Sequence, residues 1–374
     1  MSPFLAIFVI AAIGYLLGSI KIKGIELGTA GVLLVALVFG HFGVQIDAVV
    51  RNFGLATFVA AVGFIAGPKF FRDFRKNAAS YILLGFLIIL SGAVCCVLTV
   101  KIGGISPELA VGLLTGALTS TPGLAAAREA AGDLAKLAST GYAIAYPFGV
   151  VGVVLFVQLM PKILKVDVAS ERERFMRANS AEIKHYSGKL VKLDPMGFFA
   201  FTLAIALGIL LGKIEIPLPG GAEFSLGTTG GALIVGLLFG HFAHIGPVDI
   251  EVPSSVLKTM RELGLMLFLI GAGVDGGHGF VETLRAEGAM LFVYGAVMTL
   301  VPMIVGYFIA AKLLKLSLFN NLGSITGGMT STPALGTLIS VAGTEDVASA
   351  YAATYPIALV SVVLSAQFIV ILMH

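Results

Sequence analysis

Long apolar runs, separated by short polar or basic segments, make up nearly the whole chain. A helix that crosses a membrane needs about 20 apolar residues, and ten runs approach or reach that length. The first run, Pro3 to Ile20, contains no charged residue and has no Lys or Arg before it, so we expect a retained helix and not a cleaved signal peptide. The predicted crossings are roughly residues 3–20, 29–45, 53–68, 78–100 and 139–161 in the first half, and 196–212, 228–244, 263–277, 288–311 and 350–373 in the second.

Two further apolar stretches, about 107–132 and 318–342, are each interrupted by the tetrapeptide Thr-Ser-Thr-Pro. Proline ends a helix because it lacks an N–H and its ring clashes with the preceding turn. Each stretch is therefore either a broken full crossing or a re-entrant hairpin. The positions of basic residues decide between these alternatives, because cytoplasmic loops are enriched in Lys and Arg.

Basic residues cluster after the third crossing and again between the two halves, and we expect both clusters to face the cytoplasm. The two crossings between the clusters return the chain to the same side only if the interrupted stretch does not cross. This predicts five crossings and one re-entrant hairpin in each half, with both chain termini outside. The clusters consist of Lys69, Arg72, Arg75 and Lys76, and of Lys162, Lys165, Arg172, Arg174, Arg177, Lys184, Lys189 and Lys192.

The second half of the chain repeats the first. Residues 29–42 align on 229–242, 53–55 on 263–265, 115–124 on 326–335 and 142–147 on 351–356, at offsets of 200, 210, 211 and 209. An odd number of crossings per half places the halves in opposite orientations, and inverted repeats with interrupted helices are typical of secondary transporters. We therefore predict an all-α polytopic membrane protein with an inverted repeat of two five-helix halves. The predicted units are membrane repeat 1 (1–161), a cytoplasmic linker (162–195) with an amphipathic helix around Ser170–Glu182, and membrane repeat 2 (196–374).

Composition excludes several classes of protein. Hydrophobic residues make up 57% of the chain and charged residues 12%, about half the share in soluble domains. The mean hydropathy is +1.00 and the net charge only +3, which argues against a soluble enzyme, a disordered chain and a nucleic-acid binder. The two cysteines, Cys95 and Cys96, are adjacent, and no Cys/His spacing predicts a metal site, so we expect neither metal nor cofactor.

The two interrupted stretches predict a binding site for an anion. In each Thr-Ser-Thr-Pro, the second threonine (Thr121 or Thr332) suits the N-cap and the proline suits the first position of a new helix. Helix N-termini attract anions, and two such ends that meet near the bilayer midplane suit a small carboxylate. Alternatively, the hydroxyls only satisfy backbone groups that are freed at the break. The predicted site residues are Thr119, Ser120, Thr121, Pro122 and Gly123, with Thr330, Ser331, Thr332, Pro333 and Ala334.

Four more polar residues are candidates for this site. Arg128 stands opposite the apolar Ile339 in the repeat, so we predict that it binds a substrate carboxylate; the alternative is a salt bridge on an outer face. Tyr146 and Tyr355 precede prolines and either kink a helix or supply a phenolic donor. Asp275 is either a ligand for a coupling ion or a loop residue at the membrane edge.

The sequence resembles the aspartate–alanine exchanger family of bacterial transporters. The resemblance covers both halves and is carried by Gly63–Phe71, by Tyr142–Gly149, by the Val-Phe-Gly-His-Phe pattern at 38–42 and by the paired Thr-Ser-Thr-Pro segments. It implies an inner-membrane exchanger of acidic amino acids or dicarboxylates, an elevator-type mechanism and a homodimer. Family members commonly carry two regulatory domains between the halves, and here only the linker stands in their place.

The leading functional hypothesis is therefore exchange of small carboxylates, such as aspartate or succinate, by alternating access. A Na⁺- or H⁺-coupled symporter of the same substrates is the alternative, and an anion channel is a third possibility. An intramembrane enzyme has little support, because neither His-Glu-x-x-His nor Gly-x-Ser-x-Gly occurs.

Overall fold

The computed structural model describes residues 2–22, 25–26, 29–178, 190–217, 223–277 and 289–373. Within these ranges the chain is mostly helical, with a few two-residue strands. Five helical stretches are long and apolar enough to cross a membrane, and further apolar helices are shorter. This is the pattern of an all-α, multi-pass membrane protein, while the predicted number of crossings stays a prediction. The five stretches are Ala48–Pro68, Asn77–Gly103, Thr121–Ile163, Ala289–Leu313 and Glu345–Met373.

The helices of the two halves follow a similar order, and one additional helix lies between them. The first half contains α1 (Pro3–Gly18), α2 (Ala30–His41), α3 (Ala48–Gly103), α4 (Pro107–Ala117), α5 (Thr121–Ala131) and α6 (Ala135–Ile163), and α7 (Val168–Ala178) follows. The second half contains α8 (Phe198–Gly212), α9 (Gly227–Phe242), α10 (Ser254–Gly277), α11 (Ala289–Phe308), α12 (Leu318–Gly328), α13 (Thr332–Ala342) and α14 (Ala348–Met373).

Short strands connect helices outside the apolar runs. Strand β1 (Lys21–Ile22) pairs antiparallel with β2 (Ile25–Glu26), and β4 (Ile216–Pro217) pairs antiparallel with β5 (Glu223–Phe224). Strand β7 (Val248–Asp249) lies between β3 (Val191–Lys192), to which it is parallel, and β6 (His244–Ile245), to which it is antiparallel.

Helix α3 corrects one sequence-based expectation. Residues 69–76, predicted as a basic loop between two crossings, continue the helix, so that α3 runs for 56 residues. At 1.5 Å per residue its contour is about 84 Å, far more than the roughly 30 Å of a hydrocarbon core. A polar, charged segment outside the bilayer can remain helical as well as form a loop, because its side chains reach water in either conformation. The charge pattern therefore marks where the apolar crossings end and does not mark where the helix ends.

The helices pack in two groups that share α3. The flanking group consists of α1, α2, the first part of α3, α8, α9 and α10. The hairpin group consists of the last part of α3 together with α4, α5, α6 and α11 to α14. Small residues permit the closest crossings: a Cβ on Gly67 or Gly240 would clash with the backbone of the partner helix, so only glycine fits between α3 and α9.

The linker helix α7 is amphipathic and docks on the hairpin group. It begins near the predicted Ser170 and ends at Ala178, while predicted residues 179–182 lie outside the described residues. Phe175 is buried edge-on against Phe319, with ring centroids 5.6 Å apart. The carboxylate of Glu171 accepts the Leu318 N–H at 3.2 Å, at the start of α12. The guanidinium of Arg172 donates to the Ala342 carbonyl at 2.5 Å, at the end of α13.

Candidate functional site

Both interrupted stretches break within the Thr-Ser-Thr-Pro segment, and both breaks have the same backbone geometry. Helix α4 ends in a Schellman motif, in which the Thr119 N–H donates to the Gly116 carbonyl and the Ser120 N–H donates to the Thr115 carbonyl. Helix α12 ends in the same way, with bonds from Thr330 to Gly327 and from Ser331 to Thr326. The helices therefore stop before the proline, because the chain has already turned.

The turning residue in each break is a threonine in the left-handed region. Thr119 has a φ of 56° and Thr330 a φ of 49°, at the position where a helix end most often has glycine. A β-branched residue is strained in this conformation, and such strain persists only where surrounding contacts enforce it. The two breaks therefore store strain at equivalent positions of the repeat.

The contacts that hold this conformation come from the other break. The Thr330 hydroxyl donates to the Leu118 carbonyl at 2.7 Å, and the Thr119 hydroxyl lies 3.3 Å from the carbonyls of Met329 and Thr330. We call residues 118–122 and 329–333 tip 1 and tip 2. The two tips thus contact each other directly, although 211 residues separate their central threonines.

The new helices start one residue earlier than the sequence predicted. Ser120 and Ser331 are the N-caps, so Thr121 and Thr332 occupy the first helical position and the prolines the second. The Ser120 hydroxyl accepts the Gly123 N–H at 3.2 Å. Ser331 is fully buried, and its hydroxyl has no hydrogen-bond partner within the part of the chain that the structure describes. Because Thr119 and Thr330 adopt the left-handed φ, the next residue in each segment, Ser120 or Ser331, is the N-cap.

A stacked pair of tyrosines supports each tip. The Thr121 hydroxyl lies 3.5 Å from the Tyr142 hydroxyl, and Tyr142 stacks on Tyr146. In tip 2, the Thr332 hydroxyl lies 3.4 Å from that of Tyr351, which stacks on Tyr355. Tyr142 and Tyr351 are therefore the tyrosines that face the threonine hydroxyls. The predicted tyrosines, Tyr146 and Tyr355, stack behind them.

A cavity of about 450 Å³ lies beside the two tips, at the contact between the hairpin group and the flanking group. It contains an ion pair between Arg51 of α3 and Asp275 of α10, whose side chains are 35% and 42% exposed. Its lining includes Arg51, Asn52, Thr119, Ser120, Thr121, Pro122, Tyr142, Tyr146, Thr228, Thr229, Phe268, Asp275, Thr330, Thr332, Pro333 and Tyr355.

The electrostatics of this cavity favour an anion. The N-termini of α5 and α13 both open onto it and present backbone N–H groups and the positive ends of two helix dipoles. The Arg51 guanidinium adds a full positive charge and a planar pair of donors that matches a carboxylate. Asp275 already accepts from Arg51, so a carboxylate ligand would have to share or take over this guanidinium. In the described residues, no group of three His, Cys, Asp or Glu side chains is placed to hold a metal ion.

The structure brings most of the predicted site residues together. Thr119 to Pro122, Thr330, Thr332, Pro333, Tyr146, Tyr355 and Asp275 line the cavity, whereas Gly123, Ser331 and Ala334 lie just behind its wall. Arg128, which lies in the last turn of α5 and is exposed, does not line the cavity. Sequence reasoning missed Arg51, although the repeat contained a signal: at the local offset of 210, Arg51 stands opposite Arg261.

Comparisons with known proteins agree with this architecture. The model of a family described as the predicted permease membrane region (Asp-Al_Ex) matches residues 6–162 and 200–371. An uncharacterized transporter of Bacteroides fragilis is 31% identical, and one of Bacteroides thetaiotaomicron is 30% identical; each alignment covers 98% of both chains. An uncharacterized transporter of Rhodopirellula baltica is 27% identical over 99% of both chains.

The relatives are longer than this chain. The alignment with the Bacteroides fragilis protein runs over 522 positions, well above the 374 residues present here, so that protein contains residues without a counterpart. The two ranges that match the family model leave 163–199 between them, which is the segment that contains α7. The chain belongs to the aspartate–alanine exchanger family of membrane transporters, in a form with a short connection between its two membrane regions.

Proposed function

We propose that this transporter exchanges small carboxylates, an acidic amino acid such as aspartate or a dicarboxylate such as succinate, across the bacterial inner membrane. The observation that carries the proposal is the cavity at the tips, where two helix N-termini and the Arg51 guanidinium face one space of about 450 Å³. A cavity of this size is suited to a small molecule. Two helix ends and one arginine provide separate partners for two carboxylates, or for a carboxylate and a polar group.

The architecture that we propose for this exchange is an inverted repeat with elevator movement. Each arm of a hairpin has 11 residues, about 16 Å, which is roughly half of the hydrocarbon core and supports re-entrant hairpins. The hairpin group would carry the tips and their cargo past the flanking group. We further propose a homodimer, a cytoplasmic linker and termini outside.

Ion-coupled symport is the second candidate. The carbonyls of Leu118, Met329 and Thr330 meet at the tips, where the C-terminal ends of α4 and α12 favour a cation. The Arg51–Asp275 ion pair argues against Asp275 as a ligand for that cation in this conformation. Uptake of labelled aspartate into liposomes with and without a Na⁺ or pH gradient separates the candidates: exchange needs only internal substrate, symport needs the gradient, and a channel needs neither.

Arg51 provides the most direct test of the site, and Arg128 is its matched control. Arg51→Lys keeps the charge but loses the planar fork, so we expect the Kd for aspartate or succinate to rise about tenfold or more, the equivalent of one charge-assisted hydrogen bond. Arg128→Gln removes an exposed cation outside the cavity and should leave the Kd within about twofold of the parent value. Binding is measured by calorimetry and by ligand-dependent thermal shift in detergent.

A further variant separates binding from folding. Arg51→Gln removes the guanidinium that pairs with Asp275, so the combination Arg51→Gln/Asp275→Asn, which keeps the site neutral, should fold yet fail to bind. Parent affinity in this double variant would remove Arg51 from the site. Loss of binding in Arg128→Gln alone would move the site to the arm of α5, as the sequence predicted.

A further inference from the structure

A second cavity, of about 1190 Å³, lies at the other end of α10. The site at the tips uses the C-terminal end of this helix, including Asp275, whereas the second cavity is lined by its N-terminal end, including Lys258 and Arg261. Fourteen residues separate Arg261 from Asp275, about 21 Å along the helix axis. The two cavities therefore open at opposite ends of the same helix.

Arg261 connects the two helix groups inside this second cavity. Its Nη1 donates to Glu345 Oε1 at 2.6 Å, and its Nη2 donates to Glu262 Oε1 at 2.6 Å. Glu262 follows Arg261 on the same helix, whereas Glu345 belongs to the short 3₁₀ turn Glu345–Val347 that follows α13 of the hairpin group. Of these two bonds of Arg261, the one to Glu345 joins the flanking group to the hairpin group.

The environment makes this connection costly to break. The Arg261 side chain is 12% exposed and that of Glu345 21%, whereas that of Glu262 is 48% exposed. A largely buried ion pair is screened less by water and salt than a surface pair, and the removal of one partner leaves an uncompensated charge. Of the two ion pairs of Arg261, the one with Glu345 is the less exposed, and its loss is therefore the more costly.

The sequence repeat relates Arg261 to the arginine of the first cavity. At the offset of 210, Arg261 is the counterpart of Arg51, so each cavity contains one arginine from the equivalent turn of the repeat. Arg51 pairs within the flanking group, with Asp275 of α10. The two arginines therefore pair differently: the ion pair of Arg51 stays within the flanking group, whereas that of Arg261 with Glu345 joins the two groups.

We propose that the Arg261–Glu345 pair is a latch that holds the hairpin group in the present position and must open before the tips can face the second cavity. The proposal rests on the proposed function, because it presumes that the tips alternate between the two cavities. Arg261 and Glu345 are positioning residues, and neither is assigned a contact with the substrate here.

The test compares two isosteric substitutions that remove the same charge beside Arg261. Thr121→Cys, in a background without Cys95 and Cys96, places a single thiol at the exposed part of tip 1. In sided vesicles without substrate, an impermeant thiol reagent is added on the side of the second cavity. We expect Glu345→Gln to raise the labelling rate from that side about fivefold or more, and Glu262→Gln to leave it unchanged.

A mutant cycle shows whether the effect runs through this pair. Once Glu345→Gln has opened the latch, Arg261→Gln should have little further effect on labelling, since coupled residues are not additive. Equal acceleration by Glu262→Gln, or unchanged labelling in Glu345→Gln that retains the parent's thermal stability, would overturn the latch. This readout needs no carboxylate, so a failed latch with intact aspartate exchange rejects this inference alone, whereas absent exchange in the parent rejects the proposed function.

Discussion

Ser120 and Ser331 are equivalent in sequence, yet their hydroxyl groups do different things. The Ser120 hydroxyl caps α5 through the Gly123 N–H, and the Ser331 hydroxyl is buried at the start of α13 without a partner among the described residues. A buried polar group that lacks a partner is costly, and such groups are retained where another molecule satisfies them. The two equivalent serines therefore differ: the Ser120 hydroxyl caps a helix beside the cavity, whereas the Ser331 hydroxyl is unsatisfied within the described part of the chain and lies behind the cavity wall.

From this difference we predict different effects of Ser120→Ala and Ser331→Ala. Ser120→Ala loses a helix cap and should lower the unfolding free energy by about 1 kcal/mol. Ser331→Ala loses no hydrogen bond within the described protein, so it should leave the unfolding temperature unchanged or higher; because Ser331 lies behind the cavity wall, the affinity for aspartate should stay within about twofold of the parent value. Thermal unfolding and calorimetry on the same samples check both. A large loss of aspartate affinity in Ser331→Ala would contradict the placement of this hydroxyl outside the site.

Residue-scale features also show what sequence could and could not predict. The repeated tetrapeptide correctly predicted where both helices break, because proline and capping chemistry are local. The N-cap assignment was wrong by one residue, since the left-handed φ of Thr119 and Thr330 depends on bonds between the tips. Arg51 was missed because its partner Asp275 is 224 residues away, and only the folded chain brings them together.

At the scale of elements, α7 closes the base of the second hairpin. Glu171 places negative charge at the N-terminus of α12, and Arg172 places positive charge at the C-terminus of α13, so both side chains complement the helix dipoles. The amphipathic sequence pattern of α7 predicted that the helix has a hydrophobic face. Its docking position was not, because the two helix ends that it joins are distant in sequence.

We expect the loss of Arg172 to loosen this end of the hairpin. Arg172→Ala should increase hydrogen exchange of the amides near the end of α13, around Ile339–Gly343, because the Ala342 carbonyl loses its charged donor. Arg174→Ala, an exposed arginine on the same helix, is the matched control and should show the parent pattern. Exchange is followed by mass spectrometry of peptides. Equal protection in both variants would show that α7 rests on the hairpin without stabilising it.

At the scale of the whole molecule, the charge bias and the repeat together predict an orientation. A residue in α7 should face the cytoplasm and the N-terminus the outside, because basic residues are retained on the cytoplasmic side. In a background without Cys95 and Cys96, Ser2→Cys should react with an impermeant thiol reagent in intact cells, and Arg174→Cys should react only after the cells are opened. The reverse labelling pattern would invert the proposed orientation, so that each cavity would face the other side of the membrane.

The mutual bonds between the tips also have an evolutionary consequence. Each central threonine is held by the backbone of the other tip, so a substitution at residue 119 changes the surroundings of residue 330 and the converse. A new side chain at either position would meet the unaltered backbone of the other tip, so we expect the two positions to tolerate change only together. Thr-Ser-Thr-Pro accordingly occurs in both halves, whereas the arms behind it differ, with Arg128 in one half opposite Ile339 in the other.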